Sequence, residues 1–363
     1  MPKLTLNDIC QYRNENMLST DLSDNVYIST ETMQPNREGI SSSDIVTPTT
    51  KKVKAFYPGD ILVSNIRPYF KKIWRATFAG GCSNDVLVFS PKCNSEYLYW
   101  LLSTDSFFNY MMATSKGTKM PRGDKKAIMK YIVPDHSDKE QRQIASFLNP
   151  LQNKIAFNNR INDYLAETAV ALFNRECSQS NEPNAMLSDI AQITMGQSPS
   201  GSSYNEEGDG EVFYQGRAEF GAFFPRRRLF TTKPKRMAQE GDTLMSVRAP
   251  VGDLNIANEN CCIGRGLAAI HSENNQSFVH YLVRAQRRIL NTFNGDGTVF
   301  GSINGKALKE LPVFLPGNDV IAHLESQLKS IDELIRRNDD EMQALEQMRD
   351  TLLPRLMSGE IDV

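Results

Sequence analysis

Apolar positions in this chain recur with two periods, and the more persistent one advances by four, three, four, three. It starts at Ile144 and passes through Leu148, Leu151, Ile155, Asn158, Asn162, Leu165, Ala169 and Leu172. Shifted by 180 residues, the stripe returns as Leu324, Leu328, Ile331, Ile335, Asn338, Met342, Leu345, Arg349 and Leu352. A 3.5-residue repeat held this long is the pattern of helices that supercoil about one another. It predicts a central helix within 138–183 and a C-terminal helix within 318–363, each following a globular segment, 1–137 and 184–317. From Asp319 to Leu353 the second helix would be roughly 50 Å long.

Two polar features qualify the stripes. Pro150 falls inside the first, where a proline removes a backbone hydrogen bond and crowds the preceding turn. Either the helix kinks there, or Asn149 caps a new helix with Pro150 at its first position and Ser137 or Asp138 caps a shorter one upstream. Asn158 and Asn338 occupy the midpoints of their stripes. In an antiparallel pair related by a pseudo-twofold axis, midpoints meet, so these amides are expected to face each other and fix the register.

The globular segments carry short strand-like runs in matching order. In the first, Tyr57-Pro58-Gly59-Asp60 turns into Ile61-Leu62-Val63, and Asp85 to Phe89 forms a second buried run. Glu96 to Met112 is spaced as helix, 115–124 as loop, and Lys125 to Val133 as helix and strand. In the second, Gly241-Asp242-Thr243-Leu244-Met245-Ser246 mirrors Gly59-Asp60-Ile61-Leu62-Val63-Ser64. Cys82 matches Cys262, Leu87 matches Leu267, Trp100 aligns with Tyr281, Gly117-Thr118 with Gly297-Thr298, and Lys126-Ala127 with Lys306-Ala307. Shared order at a nearly constant offset marks an internal repeat. The expected fold class is α+β: two pseudo-symmetric α/β domains separated by two long antiparallel coiled-coil helices.

Composition narrows the function. The 363 residues hold 40% hydrophobic side chains and carry a net charge of −2. Residues 1–140 are net +3 and 184–316 net +1, whereas 317–363 are net −6. Mildly basic domains with an acidic last helix suit nucleic-acid contact on the domains and protein contact or solvent on the helix. No run approaches a membrane span, the start Met1-Pro2-Lys3-Leu4-Thr5 lacks a signal-peptide core, and six cysteines without CxxC spacing indicate a reducing cytoplasm. There is no GxxxxGK[ST] loop, no GxGxxG and no Asn-Pro-Pro-aromatic tetrapeptide. His136, His271, His280 and His323 have no ligand spacing, so a catalytic role for this chain alone is not expected.

Basic residues gather in loops of both domains. The first offers Lys51, Lys52, Lys54, Arg67, Lys71, Lys72, Lys116, Lys119 and Arg122, with Tyr69 and Phe70 between the basic positions; the second offers Arg217, Arg226, Arg227, Arg228, Lys233, Lys235, Arg248 and Arg265. Such side chains suit phosphates, and arginine also grips guanine edges. Gln197, Gln215 and Asn205 are candidate adenine readers, and Thr298 is a further DNA candidate. A charge run is ordinarily a solvated face, so each position is a candidate only.

Together these motifs resemble the specificity subunit of type I restriction-modification systems. The resemblance rests on Gly59-Asp60-Ile61-Leu62-Val63-Ser64 with Arg67-Pro68, and on Gly241-Asp242-Thr243-Leu244-Met245-Ser246 with Arg248-Ala249-Pro250. It also rests on Gly196-Gln197-Ser198-Pro199, Glu140-Gln141-Arg142-Gln143-Ile144 and the ending Leu352-Leu353-Pro354-Arg355-Leu356-Met357-Ser358-Gly359-Glu360-Ile361. It spans the whole chain. It implies two target-recognition domains that each read half of a split double-stranded DNA site, spaced by antiparallel helices. It also implies docking of two methyltransferase subunits, which use S-adenosylmethionine to methylate adenine, and a motor-nuclease subunit that completes the restriction enzyme. This chain would hold no cofactor. The competing readings are a coiled-coil scaffold without DNA affinity and a self-sufficient methyltransferase or nuclease.

Overall fold

The computed structural model describes residues 3–22, 27–41, 48, 50–177, 182–295 and 301–361. The chain forms two compact units, Met1–Phe157 with Glu341–Val363, and Asn158–Asp340. Both long helices run through both units, because the divisions fall inside them.

The first unit is built on an antiparallel sheet in the order Cys10–Tyr12, Val86–Pro91, Ile61–Ser64, Ile73–Arg75. Its central runs are continuously apolar because both faces are covered, which abolishes the alternation of a half-exposed strand. Ile61, Val63, Leu87 and Phe89 point into a core with the helices Ser95–Leu102 and Asp105–Ala113. Leu62, Val86 and Val88 point the other way, onto Ile28, Phe56 and Cys82 of a second sheet. The helical run expected over 96–112 is thus two helices. They break at Ser103-Thr104, where the Thr104 side chain accepts from Phe107 N and caps the second helix.

The second unit repeats this plan with Gln192–Met195, Leu267–His271, Thr243–Ser246 and Leu254–Ile256. In both second sheets, one strand has a parallel and an antiparallel neighbour: Gly80–Cys82 beside Tyr27–Ile28 and Lys52–Phe56, and Cys261–Ile263 beside Glu211–Tyr214 and Met237–Ala238. Register identifies the true equivalents. Gly81 faces Tyr27 as Cys262 faces Phe213, and Val88 faces Leu62 as Ala269 faces Leu244. The expected matches of Cys82 to Cys262 and Leu87 to Leu267 are therefore one residue out. Connecting loops differ in length between the copies, and a fixed offset slips across them.

The Gly-Asp motif is a turn buckle in each copy. Gly59 and Gly241 share a φ of 89°, a left-handed conformation that only glycine adopts at little cost. Asp60 then accepts from Tyr57 N at 2.8 Å, and Asp242 from Gln239 N at 2.8 Å. Both carboxylates are buried and anchored from outside, Asp60 by Arg13 at 2.6 and 2.9 Å, Asp242 by His271 at 2.6 Å.

The first long helix, Asp138–Glu176, continues unbroken through Pro150. The split-helix alternative is excluded. A Ser137–Glu140 capping box opens the helix, and the Asn149 amide accepts from the Trp100 indole at 2.9 Å and donates to Glu96 at 2.7 Å. The second long helix is Asn318–Met357 and contains Pro354. The two pack antiparallel. In the first unit Ile144, Ala145 and Leu148 share a core with Leu353, Leu356 and Met357, and Arg349 Nη1 donates to Gln152 Oε1 at 3.0 Å. In the second, Ala169 and Phe173 share a core with Ile321, Leu324 and Leu328.

The central amide contact differs from the expected one. Asn338 Nδ2 donates to Asn162 Oδ1 at 2.7 Å, and Asn162 Nδ2 to the Ile335 carbonyl at 3.2 Å. The partner is Asn162, one turn beyond Asn158. The first helix also buries Ala166 and Phe173 where a strict repeat names Leu165 and Leu172, which are half-buried. Its buried positions Asn162 to Phe173 make about three turns in eleven residues, closer to an unstrained helix than to a 3.5 repeat. The second helix keeps the heptad through Ile321, Leu328, Ile335, Met342, Arg349 and Leu356, all buried. Ile155 and Asn158 are buried as well; Leu151, Ile331, Asn338, Leu345 and Leu352 are half-buried.

Two predictions follow from this packing. Leu356 is 2% exposed within the first unit's core, so Leu356→Ala should cost about 2–5 kcal/mol, read by urea unfolding. A loss below 0.5 kcal/mol would show that the C-terminal turns are not part of that core. The second concerns pH. Burial raises the Asp332 carboxyl from 3.8 to about 6 and lowers His280 from 6.5 to about 3. A raised carboxyl removes stability as pH climbs from about 4 to 6, whereas the depressed imidazole removes it as pH falls below about 6.5. Asp332→Asn should therefore gain on wild type as pH rises from 4 to 6, and His280→Gln should gain as pH falls below 6.5. Stability curves parallel to wild type would refute the assignment.

Candidate nucleic-acid interface

In the second unit, glycines bring three backbone segments to contact distance. A Cβ on Gly196 would lie 2.1 Å from the Gly264 carbonyl oxygen, and one on Gly264 would lie 2.7 Å from the Gln215 carbonyl oxygen. Hydrogen bonds lock the crossing: Gly196 N to Leu267 O at 2.9 Å, Gln197 N to Ile263 O at 3.0 Å, and Gly264 N to Tyr214 O at 2.8 Å. Arg265 N donates to Ser198 Oγ at 3.2 Å. Val247 N reaches the Gly266 carbonyl at 2.9 Å, which brings the Arg248 loop alongside. Four candidates, Gln197, Gln215, Arg248 and Arg265, thus stand exposed around this crossing. Glutamine and arginine forks match adenine and guanine edges.

The other candidates of this unit are placed differently. Arg217 pairs with Asp253 beside a 420 Å³ groove also lined by Arg284 and Arg287. Arg227 grips Glu259 with two bonds, at 2.6 and 2.8 Å, and Arg228 pairs with buried Glu219. Glu219 in turn accepts from Gly216 N at 3.1 Å, so Arg228 braces the loop that carries Gln215. Arg226, Lys233 and Lys235 are exposed. Asn205 folds back on its own turn, accepting from Gly208 N and Asp209 N, which spends its amide locally. Thr298 lies outside the described residues.

In the first unit, the loop 115–124 closes on the loop after Ile61–Ser64. Arg67 N donates to Pro121 O at 2.9 Å, and Lys116 and Arg122 exchange backbone bonds at 2.9 and 3.0 Å. This collects Arg67, Lys116, Lys119 and Arg122. Arg122 pairs with Asp85 at 3.1 Å and Lys116 with Asp124 at 2.8 Å. The Lys116 bond, with backbone donors from Ala127 and Lys126, holds the Asp124 carboxyl down at about 2. Lys51 and Lys52 are exposed, and Lys71 pairs with Asp105 at 2.8 Å. Lys54 and Lys72 are a correction to the phosphate-contact reading. Both are half-buried, and their ammonium groups donate to the Val86 and Thr30 carbonyls at 2.6 Å. An ammonium committed to an internal carbonyl serves the fold. Sequence reasoning missed Arg37, which is buried and pairs with Asp105, and Asn65, whose buried Oδ1, beside Gly123, has no partner among the described residues. Neither has a sequence signal, since each depends on a loop that returns from elsewhere.

The family model described as type I restriction modification DNA specificity domain matches residues 2–167 and again 184–343. The MjaX specificity subunit of Methanocaldococcus jannaschii is 32% identical over 296 residues, covering 75% of this chain and 69% of that protein. The HindI specificity subunit of Haemophilus influenzae is 21% identical over 407 residues, covering 85% and 88%. The crystal structure of the S subunit from M. genitalium superposes with a TM-score of 0.56 at 17% identity, over 98% of this chain and 96% of that one, a likeness of fold.

The glycine crossing yields a test. Gly264→Ala must push apart the segments bearing Gln197 and Gln215, and should weaken duplex binding roughly tenfold or more. Gly201 has open space around its Cβ position, so Gly201→Ala should bind as wild type. Equal binding by both variants in a filter-retention assay would remove the crossing from the interface.

Proposed function

The chain belongs to the type I restriction-modification DNA specificity family, as a specificity subunit with two recognition domains, and from that premise we propose that each unit reads one half of a split duplex target. The helices set the spacing between the halves and dock two methyltransferase subunits, while this chain performs no chemistry itself. S-adenosylmethionine belongs to the methyltransferase partner, and a motor-nuclease subunit joins for restriction. The observation that carries this reading is the duplicated sheet plan, each copy presenting arginine-bearing loops at matching places, Arg67 in one and Arg248 in the other.

The energetic case rests on linkage. Once one head is bound, the second binds at high effective concentration, provided the spacer matches the distance between half-sites. Stiff helices make that distance strict, because a rod cannot adapt as a flexible linker does.

Adding one heptad to both helices should therefore shift the preferred gap between half-sites, as read by methylome sequencing of cells carrying the chain and its methyltransferase. Retention of the parental gap would end the spacer reading. Replacing residues 1–137 with those of a relative should change one half-site only. A chimera altered in both halves, or in neither, would contradict one-domain, one-half reading.

A further inference from the structure

Among the described residues, four that are not glycine adopt left-handed backbone: Asn36, Arg37, Arg67 and Lys71, with φ of 54°, 68°, 49° and 51°. All four belong to two loops that cross in the first unit. Asn36 N donates to the Phe70 carbonyl at 2.8 Å and Arg37 N to the Lys71 carbonyl at 3.0 Å. This conformation is costly for residues bearing a Cβ and persists only where surroundings over-determine it, typically at ligand clamps. The determinants are visible. Arg37, 8% exposed, donates Nε to the Ser103 carbonyl and pairs with Asp105, which also holds Lys71. Arg67 is tied through its N–H to Pro121.

What this brace presents is a single helical turn, Pro68–Phe70. Tyr69 is 49% and Phe70 38% exposed, with ring centroids 4.6 Å apart. Two adjacent aromatic rings stand in water at the end of a strained, doubly anchored loop. Lys72 Nζ lies 5.8 Å from the Phe70 ring centroid, Arg67 and Lys71 flank the turn, and the loop that carries Lys119 and Arg122 is tied to Arg67 through Pro121. The nearby carboxylates Asp85, Asp105 and Asp124 are each already paired with a cation. The corresponding loop of the second unit runs Arg248-Ala249-Pro250-Val251, with no aromatic residue and with Val251 buried.

We infer that Tyr69 and Phe70 are a stacking wedge that the first unit inserts into its DNA half-site, opening one base step; this rests on the DNA-reading function proposed above. Apolar and aromatic side chains that enter a duplex partially unstack it and bend it, and their stacking on bases tolerates sequence while the cations hold the flanking phosphates. The brace supplies what a wedge requires, since a flexible loop would fold back before it parted stacked bases. Because, among the described residues, the loop of the first unit carries the feature and the corresponding loop of the second does not, the two half-sites are engaged unequally: one is distorted, the other is read by the glutamine and arginine patch.

The test uses the assembled complex with its methyltransferase on its mapped target, with 2-aminopurine placed at successive positions across both halves, the methylated adenines excepted because the methyltransferase itself extrudes them. Wild type should brighten the probe at one step, in one half only. Tyr69→Ser with Phe70→Ser should abolish that signal and weaken binding about ten- to a hundredfold with the salt slope unchanged. Exchanging the rings (Tyr69→Phe with Phe70→Tyr) should retain both signal and affinity. Lys119→Ala should instead lower the salt slope by about one. If the wild-type complex bound duplex with normal salt dependence, but no position brightened and the double serine variant bound equally well, the wedge would be overturned while DNA reading stood. Absence of any salt-dependent duplex binding would sink the DNA reading itself. A double serine variant that no longer assembled with the methyltransferase in the absence of DNA would assign the rings to a protein interface and also overturn the wedge.

Discussion

Neither unit closes its core without both long helices. The first unit's core draws Ile144, Ala145 and Leu148 from one helix and Leu353, Leu356 and Met357 from the other, the latter from the far end of the sequence. The second draws Ala169, Phe173 and Cys177 from one and Ile321, Leu324 and Leu328 from the other. Burying a side chain of this size is worth roughly 1.5–3 kcal/mol, so helix docking and domain folding are one event rather than two. A recognition domain that must share its core with a rod cannot swing freely on it. Within each unit, packed side chains join the helices to the sheet.

The most recognisable motifs of the chain close turns inside each unit. Gly59-Asp60 and Gly241-Asp242 are buckles, each with a left-handed glycine and a buried carboxylate closing a turn. Their external anchors differ, Arg13 in one copy and His271 in the other, which shows that the geometry is kept while the partner varies. Gly196 and Gly264 do something else: they remove side chains where backbone segments cross, and so place Gln197, Gln215 and Arg265 at one surface.

The fold was largely legible because its signals are periodic. The two stripes, the doubled order of strands and the Gly-Asp turns all survive in one dimension. What was lost is what depends on accumulated length. A fixed offset paired Cys82 with Cys262 although Gly81 is the equivalent residue, since one residue of loop length is invisible without register. The same strictness placed Asn158 opposite Asn338, where the gentler period of the first helix brings Asn162 instead. The interface was legible only by composition. Charge alone does not separate Lys54 and Lys72, bonded to internal carbonyls, from Lys51 and Lys52, which face water, and Lys52 and Lys54 lie in a strand and not in a loop.

Pairing of basic side chains with carboxylates does not remove them from a DNA-binding role, and the exposed pairs show why. Arg122 with Asp85 and Lys116 with Asp124 are open to solvent, and such pairs contribute about 0–1 kcal/mol. A duplex offers each cation a phosphate plus the release of condensed counterions, which outweighs so weak a hold. The buried pairs behave differently. Arg228 on Glu219 supports the loop bearing Gln215, and breaking such a pair strands a carboxylate in a low-dielectric site. Exposure of the partner carboxylate, more than the presence of a pair, therefore separates weakly held cations from those that brace a loop of the fold.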